Sequence, residues 1–397
     1  MKHFVGVAVV LLVFVGCSTV TDGESGKERA NTELIFKAIM LEDGTGVGFT
    51  AFSPDGKMLA ACGGNDLGRN IRIWDTDTGR LLQILEGVAT PRFLIDGRTI
   101  AGRERDSTTR IFDVESGKEL HKFEKSLVRW PPVGKRLATE DDGTVQIWDV
   151  ETGKKLQELK GQDPVFSPDE TKVATMVGGE TQIWDTETRI WDVESGRVLQ
   201  KLQGRIPVFS PDGNKVVTTI TTDGKHTAQI WDANSGKKLH ELAGLFVIFF
   251  PDGMKVVTDT IDKYFRIWDV ESGEELYKLA GRPHRYSFSP NGERIVWADV
   301  DGIRICDAES GKELQKLPGT VFRAFSPDGK KIVGEGRTAH VRIWDIESGT
   351  ELQKLDGVFP MFSPDRKKIL TNPYNRFQNE PARIWSLVEC DQKSRER

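Results

Sequence analysis

The chain has 397 residues, with 55 lysines and arginines against 60 aspartates and glutamates, which gives a formal net charge of −5. This balance excludes the clustered basic excess of a nucleic-acid-binding protein, and the totals also exclude a disordered chain and a multi-span membrane protein. Four cysteines in this length exclude a disulfide scaffold, and 40 glycines indicate many tight turns.

Residues 1–17 have the pattern of a secretory signal. A positively charged start precedes the weakly polar to apolar run of residues 4–16, which is too short to span a bilayer as a helix of about 20 residues. The run ends at Phe14-Val15-Gly16-Cys17 and resembles the lipobox of bacterial lipoproteins, with Phe14 where that family usually has leucine. The resemblance implies a diacylglyceryl group on Cys17. An ordinary signal peptide with an incidental cysteine is the alternative.

Residues 18–32 are polar and hold no apolar pattern, so we predict a flexible tether. A tether between a lipid anchor and a folded body places that body outside the cytoplasm, at the bacterial cell envelope. This localisation is an expectation from the signal and the tether together.

Residues 33–387 contain nine copies of one unit of about 39 residues. Each copy contains the phrase Ile-Trp-Asp or a variant, and its central position is filled by Trp74, Phe112, Trp148, Trp191, Trp231, Trp268, Cys306, Trp344 and Trp385. A second phrase, Ser-Pro-Asp-Gly at residues 53–56 or a variant, precedes each copy. Proline and glycine suit a tight turn, and the runs around both phrases read as four short strands. Such a repeat predicts an all-β chain, a β-propeller of four-stranded blades.

The two phrases and the four-strand unit resemble the WD-repeat β-propeller family over nearly the whole chain after residue 33. That family usually carries a Gly-His pair before the first strand, whereas this sequence keeps the glycine without the histidine at Gly161, Gly204, Gly244, Gly281, Gly319 and Gly357. The resemblance therefore implies that the buried hydrogen bonds between histidine and tryptophan are missing. We expect the blades to cohere more through apolar packing.

The chain ends soon after Trp385, in a charged tail at residues 388–397, without an outer strand for the last unit. An unassigned strand pattern at residues 33–41 could supply that strand and close a single ring of nine blades. Eight blades with one degraded unit is the alternative. In a local duplication, the spacing to the next turn proline predicts Trp191 on the third strand and Trp184 in an extended loop.

No catalytic or metal-binding pattern is evident, and we predict no enzyme activity, no cofactor and no metal. The histidines follow no ligand spacing: His121 and His240 are expected to be solvated on outer strands, and His226, His284 and His340 to be exposed in loops. Cys306 fills a tryptophan position and should be a small buried residue. Closure would bring Cys62 near Cys390, and the sequence alone does not decide whether these two cysteines form a disulfide. Trp130 and Trp297 are expected to pack between blades.

Variable loops on a rigid repeated scaffold are where specificity usually lies. In the WD-repeat family, partners commonly bind the face formed by the loops between second and third strands and by those leading into each first strand. The candidate binding residues on that face are Arg69, Arg105, Arg110, Lys225, His226, Tyr264, His284, Arg285, Arg337 and His340. The alternative is that these residues form a solvated rim.

The sequence therefore predicts a monomeric, non-catalytic scaffold that binds a protein or peptide partner at the cell envelope. A propeller enzyme of hydrolase or dehydrogenase type, or a sugar-binding sensor, acting at the central channel is the alternative. A duplicated domain that retains no specific partner is a third possibility.

Overall fold

A computed structural model describes residues 10–11, 35–45, 47–63, 70–124, 127–130, 134–178, 186–222, 224–260, 262, 264–281, 286–299, 302–318, 321–335, 340–373 and 381–388. These residues form nine antiparallel sheets of the repeating unit, so the protein is an all-β propeller of nine blades. Eight blades, the alternative from the sequence, is wrong.

Two strands precede the repeats, β1 (Val10–Leu11) and β2 (Ile35–Thr45). The first sheet contains β3 (Val47–Phe52), β4 (Met58–Gly63), β5 (Ile71–Asp75) and β6 (Leu81–Leu85). The second contains β7 (Ala89–Phe93), β8 (Thr99–Arg103), β9 (Thr109–Asp113) and β10 (Glu119–Phe123). The third contains β11 (Leu127–Arg129), β12 (Arg136–Asp141), β13 (Thr144–Asp149) and β14 (Lys155–Lys160).

The fourth sheet contains β15 (Gln162–Phe166), β16 (Lys172–Val177), β17 (Glu187–Asp192) and β18 (Val198–Gln203). The fifth contains β19 (Arg205–Phe209), β20 (Lys215–Thr222), β21 (Lys225–Asp232) and β22 (Lys238–Ala243). The sixth contains β23 (Leu245–Phe249), β24 (Lys255–Asp259), β25 (Tyr264–Asp269) and β26 (Glu275–Ala280).

The seventh sheet contains β27 (Tyr286–Phe288), β28 (Arg294–Asp299), β29 (Gly302–Asp307) and β30 (Glu313–Leu317). The eighth contains β31 (Val321–Phe325), β32 (Lys331–Glu335), β33 (His340–Asp345) and β34 (Glu351–Asp356). The ninth contains β35 (Val358–Phe362), β36 (Lys368–Asn372) and β37 (Pro381–Val388), and its fourth strand is β2.

The Ser-Pro-Asp-Gly phrase forms the turn between first and second strands. In the fifth sheet, the Ser210 hydroxyl donates to Asp212 Oδ1 (2.5 Å) and accepts the amide hydrogen of Lys215 (2.9 Å). Gly213 closes the turn with φ at 70°, a left-handed conformation that glycine adopts without strain. The turn is therefore encoded within six consecutive residues.

The core lies between neighbouring sheets. The isoleucine of the third-strand phrase is fully buried in all nine sheets, as Ile73, Ile111, Ile147, Ile190, Ile230, Ile267, Ile305, Ile343 and Ile384. One cluster joins Val217 and Ile230 of the fifth sheet to Val247 and Phe249 of the sixth. Each blade thus buries its apolar surface against the next blade.

Five tryptophans of the phrase form a hydrogen-bond network between blades that uses threonine, which the sequence analysis did not consider. In the fifth sheet, Trp231 Nε1 donates to Thr218 Oγ1 (2.8 Å), which donates to the Gln203 carbonyl (2.7 Å) of the fourth sheet. Equivalent pairs join Trp148 to Thr139, Trp191 to Thr175, Trp268 to Thr258 and Trp385 to Thr371. A second-strand threonine thus bonds a main-chain carbonyl directly, and no histidine is needed.

Four sheets lack the threonine of this network, because Ala61, Gly102, Trp297 and Gly334 stand at that position in the first, second, seventh and eighth sheets. In the eighth sheet Gly334 stands at the threonine position, and within the described part of the chain the fully buried Trp344 Nε1 has no hydrogen-bond partner. In the seventh sheet Trp297 stands at the threonine position and Cys306 at the tryptophan position, and both side chains are buried as expected. Apolar packing suffices there, as predicted for the whole ring.

Fourth-strand side chains link each of the second to seventh sheets to the next sheet. His121 and His240 lie on outer strands as predicted and are half buried. Each also bonds the next sheet, since His121 Nε2 donates to the Glu151 carbonyl (3.0 Å) and His240 Nε2 to the Glu271 carbonyl (2.8 Å). Gln157 makes the same bond to the Glu194 carbonyl at 2.5 Å, and Tyr277 bonds the Ala308 carbonyl at 2.6 Å. The outer strand therefore carries a repeated hydrogen bond from a side chain to a main-chain carbonyl of the next blade, which we call the outer-strand clasp.

The ninth sheet pairs β2 antiparallel with β37, which places Ala38 opposite Trp385. Ile39 of β2 and Ile384 pack in one cluster with Trp74 of the first sheet. Lys368 Nζ lies 2.9 Å from Asp77 Oδ1 of the first sheet, and the lysine side chain is nearly fully buried. The first and ninth sheets are thus packed together. β1 pairs with the free edge of β2, Val10 opposite Ile39.

Trp191 lies on β17, opposite Val173, as the turn spacing predicted. Trp184 and residues 18–32 lie outside the described residues, so the loop and the tether stay predictions.

Candidate functional site

The turns divide the propeller into two faces. We call the lower face the one formed by the turns between first and second strands and between third and fourth strands. The upper face carries the hairpins between second and third strands and the connections from one sheet to the next. The first strands of neighbouring sheets contact one another, as β3 contacts β7, so they surround the ring centre.

Lower-face turns repeat one chemistry. An aspartate ends the third strand in each of the first eight sheets, and in the fifth sheet Asp232 accepts the amide (2.6 Å) and hydroxyl (2.7 Å) of the serine three residues later, Ser235. This hydrogen bonding lowers the pKa of Asp232, and the same holds at Asp113, Asp149, Asp192 and Asp307. Asp75 is bonded in the same way by Thr78. These aspartates stabilise turns.

Upper-face hairpins differ from sheet to sheet. In the second sheet a short loop joins the Glu104 amide to the Thr108 carbonyl at 2.7 Å, and Arg105 is exposed at its tip. In the fifth sheet β20 and β21 extend further and end in the exposed Lys225. The variation that the sequence predicted for this face is present in the described hairpins.

Arg110, one of the predicted binding residues, is already engaged. Its Nε donates to Glu119 (2.6 Å), its Nη1 lies 3.4 Å from Glu104, and its guanidinium lies 4.9 Å from the ring centre of Phe112. These contacts hold the Arg110 side chain against its own sheet. The residue therefore stabilises the sheet, and its charge is already paired when a partner arrives.

Lys225 and His226 line a shallow cleft of about 440 Å³ beside Glu241 and Thr260. His226 Nδ1 lies 3.0 Å from the Thr221 hydroxyl across the hairpin. The cleft joins the fifth and sixth sheets at the upper face. It brings together two residues that the sequence predicted.

The sixth-sheet hairpin is held by Arg266, which the sequence reasoning did not single out. Arg266 Nη2 lies 2.6 Å from Asp262 Oδ2, and Nη1 donates to Thr260 Oγ1 at 2.5 Å. The hydrogen bond from Arg266 holds the pKa of Asp262 far below its usual range. The predicted Tyr264 lies beside this pair, with Lys278 Nζ 4.8 Å from its ring centre.

The other predicted residues lie on β33 or outside the described residues. His340 begins β33, with Nδ1 3.3 Å from Asp356 Oδ1. Cys17, Arg69, His284, Arg285 and Arg337 lie outside the described residues.

Among the described cysteines, Cys62 and Cys306 are buried free thiols, and burial raises the pKa of Cys306 to about 11. Cys390 lies outside the described residues, so its pairing is untested. Trp130 is half buried against the cluster of Phe123 and Leu137.

Within the described ranges, no three histidine, cysteine, aspartate or glutamate side chains come together as ligands for a metal ion. No helix found there is long and apolar enough to cross a membrane.

The sequence reasoning missed a set of apolar residues at the upper end of the ring centre. Three residues before the phenylalanine that ends a first strand lie Phe49, Ile206, Phe246 and Phe359, with 67%, 48%, 70% and 43% of their surfaces exposed. The sequence contains a signal for this set, because the position recurs at the same place in the repeats while its residue varies between aromatic, aliphatic and polar.

A family model for the "WD domain, G-beta repeat" matches residues 42–75 and 121–149. These matches and the nine four-stranded sheets support the WD-repeat β-propeller family. Such a propeller suggests a protein-interaction scaffold. No curated protein sequence matches the chain.

Two solved structures are similar in fold. A crystal structure of the eukaryotic initiation factor has a TM-score of 0.64 and 16% identity, covering 78% of this chain and 88% of its own. The computationally designed Ika8 protein has a TM-score of 0.51 and 18% identity, covering 88% of this chain and 98% of its own. At these identities the likeness concerns the fold alone.

Proposed function

We propose that this protein is a non-catalytic scaffold of the bacterial cell envelope, anchored by a lipid on Cys17, that binds a partner protein with its upper face. The difference between the two faces carries the proposal. Lower-face turns repeat one bonding pattern, whereas the upper face presents residues that differ from sheet to sheet. Variable residues on a rigid frame are the usual basis of specific binding.

We propose further that β2 closes the ring. Two contacts support this: β2 pairs with β37, and the Lys368–Asp77 ion pair joins the ninth sheet to the first. The same positions are paired elsewhere, since Lys215 lies 3.7 Å from Glu271 and Lys255 contacts Glu309. A closed ring gives the upper loops a fixed arrangement around the channel.

Cross-linked capture tests the binding function. The full chain with a C-terminal tag is expressed in a bacterium, cross-linked in intact cells and purified, and the same sample is analysed for metals. The proposal predicts an envelope protein in stoichiometric amount. A stoichiometric metal or small ligand without any protein partner would contradict it and favour chemistry at the channel.

Metabolic labelling with a fatty-acid probe tests the anchor. We expect label on the wild type and on the control Cys306→Ala, which changes a buried thiol, and none on Cys17→Ala. No label on the wild type, or equal label on Cys17→Ala, would contradict the lipid anchor.

A further inference from the structure

The upper channel mouth carries two apolar sectors. Phe359 and Phe49 belong to first strands of the ninth and first sheets, whose side chains pack together, and Ile206 and Phe246 belong to the neighbouring fifth and sixth sheets. All four occupy the same repeat position and are extensively exposed. Large exposed apolar side chains that lie near one another on a surface mark interaction sites.

The backbone holds these side chains in place. Ile206, Phe246 and Phe359 have φ of 53°, 50° and 53°, a left-handed conformation that bulky residues rarely adopt. The preceding sheet fixes this backbone, since Glu335 Oε1 accepts the Phe359 amide (2.5 Å) and Met176 Sδ accepts the Ile206 amide (3.2 Å). The backbone of Ile206 and Phe359 is therefore held by the preceding sheet independently of any ligand.

A cationic sector lies beside the first apolar sector, on the second and third sheets. Arg92 lies one residue before Phe93, the last residue of β7, and Arg129 is the last residue of β11, directly before Trp130. Arg129 is paired with Asp163 at 2.8 Å. The Arg92 guanidinium lies 5.6 Å from the ring centre of Trp130, and no described carboxylate lies within ion-pairing distance of it. Burial lowers the pKa of Arg92, but an arginine stays charged at neutral pH.

We propose that the upper channel mouth binds an extended acidic segment of the partner protein, with a carboxylate on Arg92 and bulky apolar side chains on Phe49 and Phe246. This inference rests on the proposed scaffold function and names the chemistry of its ligand. An extended peptide presents side chains to alternate sides, so it can reach separated apolar sectors around a charged one. A single acyl chain would need one continuous apolar wall.

The test uses fluorescence polarisation with the purified full chain in detergent. The probe is a short fluorescein-labelled peptide whose central glutamate lies between two phenylalanines. A second peptide has glutamine for the glutamate, and a third has alanine for both phenylalanines. We expect the first peptide to bind about tenfold more tightly than either of the others.

Variants locate the binding. Arg92→Gln should weaken the glutamate peptide about tenfold and leave the glutamine peptide unchanged, because only the carboxylate uses that charge. Phe246→Ala should weaken both phenylalanine-containing peptides. The matched control is Leu276→Ala, which removes a side chain that is 45% exposed on the outer strand and should change nothing.

Three results would overturn the inference: no binding of the glutamate peptide, equal binding of the glutamine peptide, or displacement of the peptide by dodecanoate at comparable affinity. If cross-linking captures an envelope protein while the glutamate peptide fails to bind, the scaffold function stands and the acidic-segment proposal falls. If both experiments fail, both proposals fall.

Discussion

The lower and upper faces of the propeller are built from the same strands and differ in what their loops contact. On the lower face, Gly273 lies against His240 of the preceding sheet, and a Cβ there would be 2.5 Å from the imidazole Nδ1. On the upper face, Gly224 has nearly the same φ, 73° against 72°, yet a Cβ would meet nothing within 4 Å. The lower-face turn at Gly273 is therefore packed against the preceding sheet, whereas the upper-face hairpin at Gly224 has open space around it and is free to vary.

The two glycines test this comparison with the largest expected effect. Gly273→Ala should lower the free energy of unfolding by about 2–4 kcal/mol, because it adds a steric clash to an unfavourable φ. Gly224→Ala should cost only about 1–2 kcal/mol, from the φ alone. Urea denaturation of both variants measures the difference, and equal losses would contradict the account.

The buried threonine network should have the next largest effect. Thr218→Val keeps the shape but removes the acceptor for Trp231 and the donor to the Gln203 carbonyl, at a cost of about 1–3 kcal/mol. Thr222→Val changes an exposed position at the upper end of the same strand and should be nearly neutral. A destabilised Thr222→Val with an unaffected Thr218→Val would reverse the comparison.

The outer-strand clasp offers a smaller effect with an internal control. His240→Leu loses the hydrogen bond to the Glu271 carbonyl and should destabilise the protein by about 1 kcal/mol. His240→Gln should be close to wild type, because Gln157 makes the equivalent bond in the third sheet. Thermal melting of both variants decides whether the hydrogen bond or only the side-chain volume matters.

The turn aspartates predict a weak acid dependence of stability. Because the Ser235 hydroxyl and amide lower the pKa of Asp232 in the folded state, its contribution is complete above the ordinary aspartate pKa near 4 and is lost as the pH falls through the folded value. Asp232→Asn should therefore cost less than about 1 kcal/mol at pH 7 and still less near pH 3. If the difference in melting temperature between the wild type and Asp232→Asn grew on acidification, the prediction would be wrong.

Features encoded over a few consecutive residues could be predicted from the sequence. The Ser-Pro-Asp-Gly turn was predicted because its hydrogen bonds join neighbouring residues, and Trp191 was placed by counting to the next turn. The threonine network was missed because Thr218 joins a tryptophan thirteen residues away to a carbonyl of another sheet. Phe246 was missed because a bulge between Leu245 and Ile248 shifts the alternation of the first strand.

Site-specific photo-cross-linking tests the central claim most directly. A photoreactive amino acid replaces either Lys225 or Lys237, two exposed residues at opposite ends of the fifth sheet, in the full chain in living cells. The account predicts an adduct with an envelope protein from position 225 and none from position 237. An adduct from position 237 alone would contradict it and assign the binding to the lower face.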